Sequence, residues 1–298
     1  MRAPLLRLQA PESPAEIWLK LECLQPIGSF KLRGAANAIR RAPTDALADG
    51  VVTASAGNMA QGVAWVAREL GIPATIVVPE HAPETKLAAI ERLGGEIVKV
   101  PYDRWWQAIE ESRFDDAAGF FVHPVMDELV MAGNGTIGLE LVEDLADIDV
   151  VLVPWGGGGL TTGIANALAA RSPRTQVQVC EPATGAAFAA AFAAGEPVPF
   201  DYRPSFVDGA GSKGVLPPMW ERARPLVSDA HAVSLDDAAA AVRLLAERAH
   251  VVAEGAGALA VAVALSGRAG SGRIVCIVSG GNIDPPRLSA ILDGRTPD

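Results

Sequence analysis

Short apolar, β-branched segments alternate with Ala- and Leu-rich segments of helical period along most of this 298-residue sequence. The predicted strands are Ile17–Glu22, Gly50–Thr53, Ala74–Val78, Glu96–Val100, Val150–Pro154, Gln176–Cys180 and Arg273–Val278. The predicted helices are Leu32–Arg41, Met59–Leu70, Glu84–Leu93, Gly135–Asp144, Leu160–Arg171 and Leu235–His250. Strands that are apolar throughout and alternate with helices are typical of parallel sheets covered on both faces. The sequence therefore predicts an α/β fold.

Composition excludes several classes of protein. The net charge of −10 argues against a nucleic-acid partner, which normally requires a basic face. No apolar run is long enough to span a bilayer, and the first residues lack the apolar stretch of a signal peptide, so we expect a cytoplasmic protein without a membrane partner. The cysteines form no paired motif and are expected to be buried in a reducing compartment; they are Cys23, Cys180 and Cys276.

A run of four glycines, Gly156–Gly159, separates a predicted strand from a predicted helix. So many consecutive glycines are best explained by close approach of the backbone to a phosphate at the helix N-terminus. A P-loop is excluded, because no Gly-Lys-Ser/Thr follows. A dinucleotide fingerprint fits in part, with Glu181 as the ribose-binding acid, but its third glycine position holds Thr161 or Thr162. A dinucleotide-binding oxidoreductase is therefore the alternative from a different class.

Three further segments carry polar groups at turns. Lys31 follows a Pro/Gly turn and opens a helix, whose positive end favours the neutral amine that a Schiff base requires, although a surface lysine would look the same. Ser55–Asn58 follows a strand and exposes backbone N–H groups suited to a carboxylate, or serves as an ordinary helix start. Ser279, after the last strand, either hydrogen-bonds a ligand or occupies a simple turn.

Taken together, these segments resemble the fold-type II pyridoxal-5′-phosphate (PLP) enzymes, and among them the serine/threonine dehydratase and serine racemase branch. The matching segments, in chain order, are Gln25–Ala35, Ser55–Asn58, Ala132–Thr136, Gly156–Gly159, Ala253–Ala258 and Ser279–Asn282. The resemblance implies a tryptophan synthase β-like fold of two open, mostly parallel twisted sheets flanked by helices. It also implies a large PLP-binding domain over residues 1–51 and 129–298 and a small domain over residues 52–128.

The resemblance implies a role for each matching residue. Lys31 would carry PLP and act as the base at the substrate Cα. The other cofactor-binding residues would be Phe30, Asn58, Gly156, Gly157, Gly158, Gly159, Glu254 and Ser279. The substrate-binding residues would be Ser55, Ala56, Gly57, Asn58 and Met59. A neutral serine at the pyridine nitrogen makes the ring a weaker electron sink, which favours rapid loss of a hydroxyl group from Cβ.

The implied activity is a PLP-dependent dehydratase, or ammonia-lyase, that converts a β-hydroxy amino acid of the L-threonine or L-serine type to a 2-oxo acid and ammonia. An amino-acid racemase and a 3-hydroxyaspartate or phenylserine dehydratase remain alternatives. Ala56 stands where serine racemases carry a second serine, which disfavours racemisation. Met59 replaces a common histidine and points to an altered substrate preference. The substrate side chain is expected to meet residues of His123–Val130 and Phe206–Leu216.

The metal site of many relatives is matched only in part. Glu181 corresponds to its glutamate, but Ala187 stands where the partner carboxylate is expected. Neither a divalent nor a monovalent cation is therefore expected. The resemblance further implies a homodimer that acts on a small-molecule amino acid and has no regulatory domain.

Overall fold

The computed structural model describes residues 2–298, which divide into two compact units. The first unit comprises the chain up to Ser29 together with Gly135–Asp298, and the second comprises Phe30–Asn134. The helix that begins at Lys31 belongs to the second unit. The assignment of residues 1–51 and 129–298 to a cofactor-binding domain stays a prediction.

The seven predicted strands lie close to their predicted positions, and three short strands, at Leu5–Arg7, Phe120–Phe121 and Asp229–Val233, were not predicted. They are β1 (Leu5–Arg7), β2 (Ala15–Leu21), β3 (Val51–Ala54), β4 (Ala74–Pro79), β5 (Glu96–Val100), β6 (Phe120–Phe121), β7 (Val150–Pro154), β8 (Gln176–Pro182), β9 (Asp229–Val233) and β10 (Gly272–Val278). The predicted bounds of β5 and β7 are confirmed at both ends, and the other predicted strands shift by one or two residues.

The helices include several that periodicity did not predict. They are α1 (Lys31–Arg41), α2 (Asn58–Leu70), α3 (Glu84–Arg92), α4 (Tyr102–Glu110), α5 (Glu128–Asp144), α6 (Gly159–Arg171), α7 (Ala187–Ala194), α8 (Pro217–Ala223), α9 (Leu235–Leu244), α10 (Gly255–Leu265) and α11 (Pro285–Leu292). Ser234 caps α9, since its Oγ accepts a hydrogen bond of 3.0 Å from the backbone N–H of Asp237. That helix is shorter than predicted, because a π-helical turn at Leu245–Ala249 follows it and His250 closes the turn in the left-handed conformation.

The first unit is built on a six-stranded sheet in the order β1-β2-β10-β7-β8-β9. All neighbours are parallel except β1 and β2. Every residue of β7 is buried, and α10, which consists of Gly, Ala, Val and Leu, is buried along nearly its whole length. These strands and α10 have no polar face, as expected of a sheet covered by helices.

The second unit contains a four-stranded parallel sheet in the order β5-β4-β3-β6. The predicted α/β fold with two mostly parallel sheets is therefore confirmed. In parallel sheets, ligands bind beyond the carboxyl ends of the strands. Within residues 2–298, no helix combines the length and apolar character that crossing a membrane requires.

Candidate active site

Lys31 is the first residue of α1 in the second unit, directly after Phe30. Its Nζ donates a hydrogen bond of 3.0 Å to the backbone carbonyl of Pro124 and lies 5.3 Å from the centre of the Phe30 ring. The side chain is half-buried, and its ammonium group is directed toward a carbonyl oxygen within the unit. A lysine in this setting has a defined position, which a surface lysine lacks.

The Ser55–Asn58 loop joins β3 to α2 in the same unit. The Gly57 N–H donates to Ser55 Oγ at 3.2 Å, and Gly57 precedes the first residue of α2, Asn58. Within the second unit, a Cβ added at Gly57 would meet no atom within 4 Å, so this turn opens onto free space. Backbone amides beside open space at a helix N-terminus suit an anionic ligand.

Close packing of α2 on α1 brings that loop to the lysine. A Cβ added at Gly62, in the second turn of α2, would lie only 3.2 Å from the carbonyl oxygen of Lys31. Lys31 and the Ser55–Asn58 loop therefore occupy neighbouring helix starts. Met59 is buried in the first turn of α2, with 2% of its surface exposed.

The turn that contains Pro124 is held by a histidine. His123 Nδ1 accepts hydrogen bonds from the N–H groups of Val125 at 3.0 Å and Met126 at 2.9 Å. A nitrogen that accepts two such bonds carries no proton, so the ring is neutral and protonated at Nε2. Burial lowers the pKa of His123 against smaller raising effects of the Ile109 backbone and the Asp127 carboxylate, and the Lys31 ammonium adds the smallest effect, also a lowering one.

The glycine run lies in the first unit, between β7 and α6. Gly158 precedes α6 with a φ of 95°, and a Cβ there would collide with the Trp155 ring. Trp155 is buried and packs against Phe188, with ring centres 4.3 Å apart. An indole ring beneath the loop therefore fixes its shape and requires glycine at position 158.

Glu254 and Ser279 also belong to the first unit and lie near each other. Glu254 precedes α10, and its N–H donates to the carbonyl of Gly280 at 3.0 Å. A Cβ on Gly209 would lie 3.3 Å from Glu254 Oε1, and one on Gly156 would lie 3.4 Å from the Gly209 carbonyl oxygen. The start of the glycine run, Glu254 and the segment after Ser279 are thus brought together.

Glu181, the partial match to a metal site, is fully buried at the end of β8. Its two carboxylate oxygens accept hydrogen bonds from the N–H groups of Phe188 at 3.0 Å and Ala189 at 2.8 Å, in the first turn of α7. Among residues 2–298, no three His, Cys, Asp or Glu side chains are grouped so as to hold a metal ion. Glu181 therefore acts as a cap for α7.

Comparison with known proteins decides the family. The family model described as pyridoxal-phosphate dependent enzyme matches residues 1–280. The chain belongs to this family. It is 41% identical over 282 residues to an L-threonine ammonia-lyase from Thermotoga maritima, an alignment that covers 93% of this chain and 70% of the relative.

Two solved structures of PLP-dependent enzymes resemble this chain closely. A serine racemase from maize superposes with a TM-score of 0.90 at 31% identity, covering 97% of this chain and 91% of its own. The processed form of threonine deaminase isoform 2 from Solanum lycopersicum gives the same TM-score and identity, with coverage of 99% and 88%. Both superpositions therefore cover almost all of this chain.

The residues of this PLP-dependent enzyme fit its cofactor. Two buried polar atoms beside the glycine run, Trp155 Nε1 and Thr162 Oγ1, have no hydrogen-bond partner among the described residues. Buried donors without partners are costly, and phosphate oxygens are acceptors that could satisfy them. In the second unit, the side chain of Lys31 ends in a primary amine, the type of group that reacts with an aldehyde.

Two features of the site were not identified from sequence. The Pro124 carbonyl is a backbone group, which no residue pattern identifies, and only the neighbouring lysine reveals its role. Trp155 is more informative, because a large aromatic residue stands directly before four glycines. That juxtaposition is the signal by which a packed support beneath the loop could have been predicted.

Proposed function

We propose that this PLP-dependent enzyme is an ammonia-lyase that converts a β-hydroxy amino acid of the L-threonine or L-serine type to a 2-oxo acid and ammonia. The observation that carries the proposal is the placement of Lys31 Nζ, 3.0 Å from a backbone carbonyl, on a helix packed against α2, the helix that follows the Ser55–Asn58 loop. A basic amine beside an anion-binding turn suits removal of a proton from the Cα of an amino acid. The identity to an L-threonine ammonia-lyase supports the same reaction.

The proposal assigns the cofactor contacts as the sequence suggested. Gly156–Gly159 would hold the phosphate group, and Ser279 would face the pyridine nitrogen. Phe30 would flank the ring, and Glu254 would lie beside it. Asn58 would serve both the cofactor and the substrate carboxylate. The clustering of Glu254 with the start of the glycine run supports this assignment within the first unit.

In the proposed elimination of water, residues of this chain would bind the substrate and move its protons. Bound PLP supplies an electron sink that makes the Cα proton acidic. The amides of residues 55–58, with Ala56 and Met59 in or beside the turn, would bind and orient the substrate carboxylate. Lys31 would take the proton from Cα and become an ammonium, and it would return that proton to the departing Cβ hydroxyl group, which leaves as water. The released enamine tautomerises and takes up water, which yields the 2-oxo acid and ammonia.

An amino-acid racemase is the second candidate, favoured by the TM-score of 0.90 to the maize serine racemase. Racemisation needs a proton donor on the second face of Cα, and Ala56 has no group that can donate one. Incubation with L-threonine, L-serine, 3-hydroxyaspartate and phenylserine distinguishes the candidates. We expect 2-oxo acid from at least one of them, whereas D-amino acid as the main product would establish a racemase.

Replacing Lys31 tests the proposal. Lys31→Ala should remove the visible absorbance of bound PLP and lower the rate of 2-oxo acid formation at least about 1,000-fold, because both the cofactor bond and the base are lost. Lys99→Ala is the matched control, since Lys99 lies in the same unit with an exposed side chain. A wild-type protein that stays colourless with added PLP would refute the proposal.

Three sequence predictions remain part of this proposal. A homodimer and a cytoplasmic location follow from the resemblance and from the sequence. Independence of added cations is supported by Glu181, whose two oxygens bind α7 amides.

A further inference from the structure

His123 does more than occupy the core of the second unit. Its side chain is 4% exposed, and the ring spans the turn that carries the Pro124 carbonyl, the acceptor for Lys31 Nζ. A carbonyl oxygen orients an ammonium group only if the carbonyl itself is fixed. The hydrogen bonds of His123 show how this carbonyl is fixed.

The turn is anchored on both sides. On the N-terminal side, Val122 pairs with β3, since its N–H donates to Val52 and its carbonyl accepts from Thr53 Oγ1, each at 2.8 Å. On the C-terminal side, Asp127 Oδ1 accepts from the N–H groups of Leu129 at 2.7 Å and Val130 at 3.1 Å, at the start of α5.

His123 holds the part of the turn that lies between these two anchors. Between Val122 and Asp127, the ring nitrogen Nδ1 accepts hydrogen bonds from the backbone amides of both residue 125 and residue 126. Both bonds require an unprotonated Nδ1. The charged groups that act on the ring are Lys31 and Asp127, and burial is the largest influence keeping it neutral.

We propose that His123 is a positioning residue for Lys31: as a neutral acceptor it fixes the 123–126 turn, so that the Pro124 carbonyl orients Lys31 Nζ and stabilises it as an ammonium. The catalytic part of this inference rests on the proposed function. In that reaction the carbonyl would stabilise the charge that Lys31 gains when it takes the proton from Cα. The hydrogen-bonding part concerns the chain alone.

Two substitutions distinguish the effect of the His123 hydrogen-bond acceptor from the effect of the volume of its ring. His123→Asn retains an acceptor, because Asn Oδ1 is separated from Cα by the same number of bonds as Nδ1. His123→Leu has the same number and branching of side-chain heavy atoms as Asn, and a volume closer to that of His, but it leaves both amides without this acceptor. A role that depends only on filling space would therefore predict that Leu replaces His at least as well as Asn does.

Chemical labelling measures the state of Lys31 without reference to catalysis. The full chain, stripped of cofactor, is treated with acetic anhydride from about pH 6 to pH 10, and peptides are quantified by mass spectrometry. In His123→Leu the midpoint for Lys31 should move to lower pH by about one unit, since its ammonium loses a fixed acceptor. The midpoint in His123→Asn should match that of the wild type, and exposed Lys99 should label alike in all three proteins.

Kinetics provide the second measurement. For the holoenzyme, His123→Leu should lower kcat about ten-fold with KM changed less than about two-fold, whereas His123→Asn should stay within about two-fold of the wild type. An unchanged Lys31 labelling profile in folded His123→Leu would overturn the inference. So would equal shifts in the two variants. If wild-type protein forms no 2-oxo acid, the proposed function fails while the labelling still decides on His123.

A measurement on the wild type covers the case in which His123→Leu does not fold. Nitrogen-15 NMR of the histidine rings, with His123→Asn for assignment, reports which nitrogen carries the proton. We expect Nε2–H and an unprotonated Nδ1 throughout the neutral range. A proton on Nδ1 in that range would overturn the inference.

Discussion

A single buried carboxyl group, that of Glu181, binds the first turn of a helix from the end of a strand. It is fully buried, and both of its oxygens accept N–H groups of α7. Burial raises the pKa of Glu181 to about 8, against the smaller lowering effect of those two hydrogen bonds. The residue that would share a cation with it is Ala187, which has no ligand atom in its side chain.

The raised pKa of Glu181 predicts a pH dependence of stability. From about pH 5 to pH 8 the unfolded chain has released this proton while the folded chain retains it, so the free energy of unfolding falls as pH rises. The slope contributed by one group is at most about 1.4 kcal/mol per pH unit. Glu181→Gln does not titrate, so the thermal stability of the wild type relative to this variant should decline across that window.

Glu84→Gln is the control for that prediction. The Glu84 carboxylate is exposed and pairs with the exposed Lys99, so the difference in stability between Glu84→Gln and the wild type should vary little over the same pH range. Parallel stability curves for the wild type and Glu181→Gln would contradict the assignment of a high pKa to Glu181.

At the scale of elements, two glycines at helix ends differ in what surrounds them. Gly158 precedes α6 with a φ of 95° and lies over the Trp155 ring, whereas Gly195 ends α7 with a φ of 82° and no described atom within 4 Å of an added Cβ. Both positions disfavour an L-residue through the backbone. Only Gly158 adds a steric conflict.

Alanine at each position separates the two effects. Gly195→Ala should lower the free energy of unfolding by about 1 kcal/mol, the cost of the left-handed backbone. Gly158→Ala should cost about 2–4 kcal/mol, because the methyl group must displace Trp155. PLP binding, followed by absorbance, should weaken only in Gly158→Ala. Equal losses of stability in urea denaturation would show that Trp155 does not constrain the loop.

The elements that the sequence predicted and those it missed differ in whether their residue pattern identifies them. Strands such as Val150–Pro154 were found because buried β-branched runs between turns have few alternatives. α10 was missed because a helix buried on all sides has no polar face and therefore no period. α5 begins at Glu128 and not at the predicted Gly135. The glycines within this helix permit close packing: a Cβ added at Gly135 would lie only 2.9 Å from the carbonyl oxygen of Gly163.

The candidate site likewise contains groups that residue type identifies and groups that it does not. Residue type alone identified three parts of the site, because a lysine, small polar residues or a run of glycines is unusual where a turn leads into a helix. These parts are Lys31, Ser55–Asn58 and Gly156–Gly159. The Pro124 carbonyl and the tautomer of His123 depend on backbone geometry. Neither could have been predicted from residue identity.

At the scale of the whole molecule, α5 crosses the boundary between the two units at Asn134 and Gly135. Its C-terminal part is joined to the large sheet through Lys20 on β2, whose side chain is fully buried. Lys20 Nζ lies 2.6 Å from Glu140 Oε2 and 3.4 Å from Asp144 Oδ2, and donates to the Ala3 carbonyl at 2.8 Å. A buried ammonium group with three oxygen acceptors fixes this helix to the first unit.

Removing this ammonium group should be costly. Lys20→Met leaves Glu140 and Asp144 without their buried partner, and we expect a loss of about 3 kcal/mol in urea denaturation. Lys99→Met removes an exposed ion pair with Glu84 and should cost less than about 1 kcal/mol. Similar losses for the two variants would mean that Lys20 contributes no more than a surface charge.

The burial of all three cysteines has a practical consequence for following this enzyme in solution. Each is a free thiol, and burial raises the pKa of Cys23 to about 12 and raises those of Cys180 and Cys276 well above the usual range. Thiols in that state react very slowly with maleimides. A cysteine introduced at an exposed position would therefore take up a fluorescent dye selectively, without prior removal of the native ones.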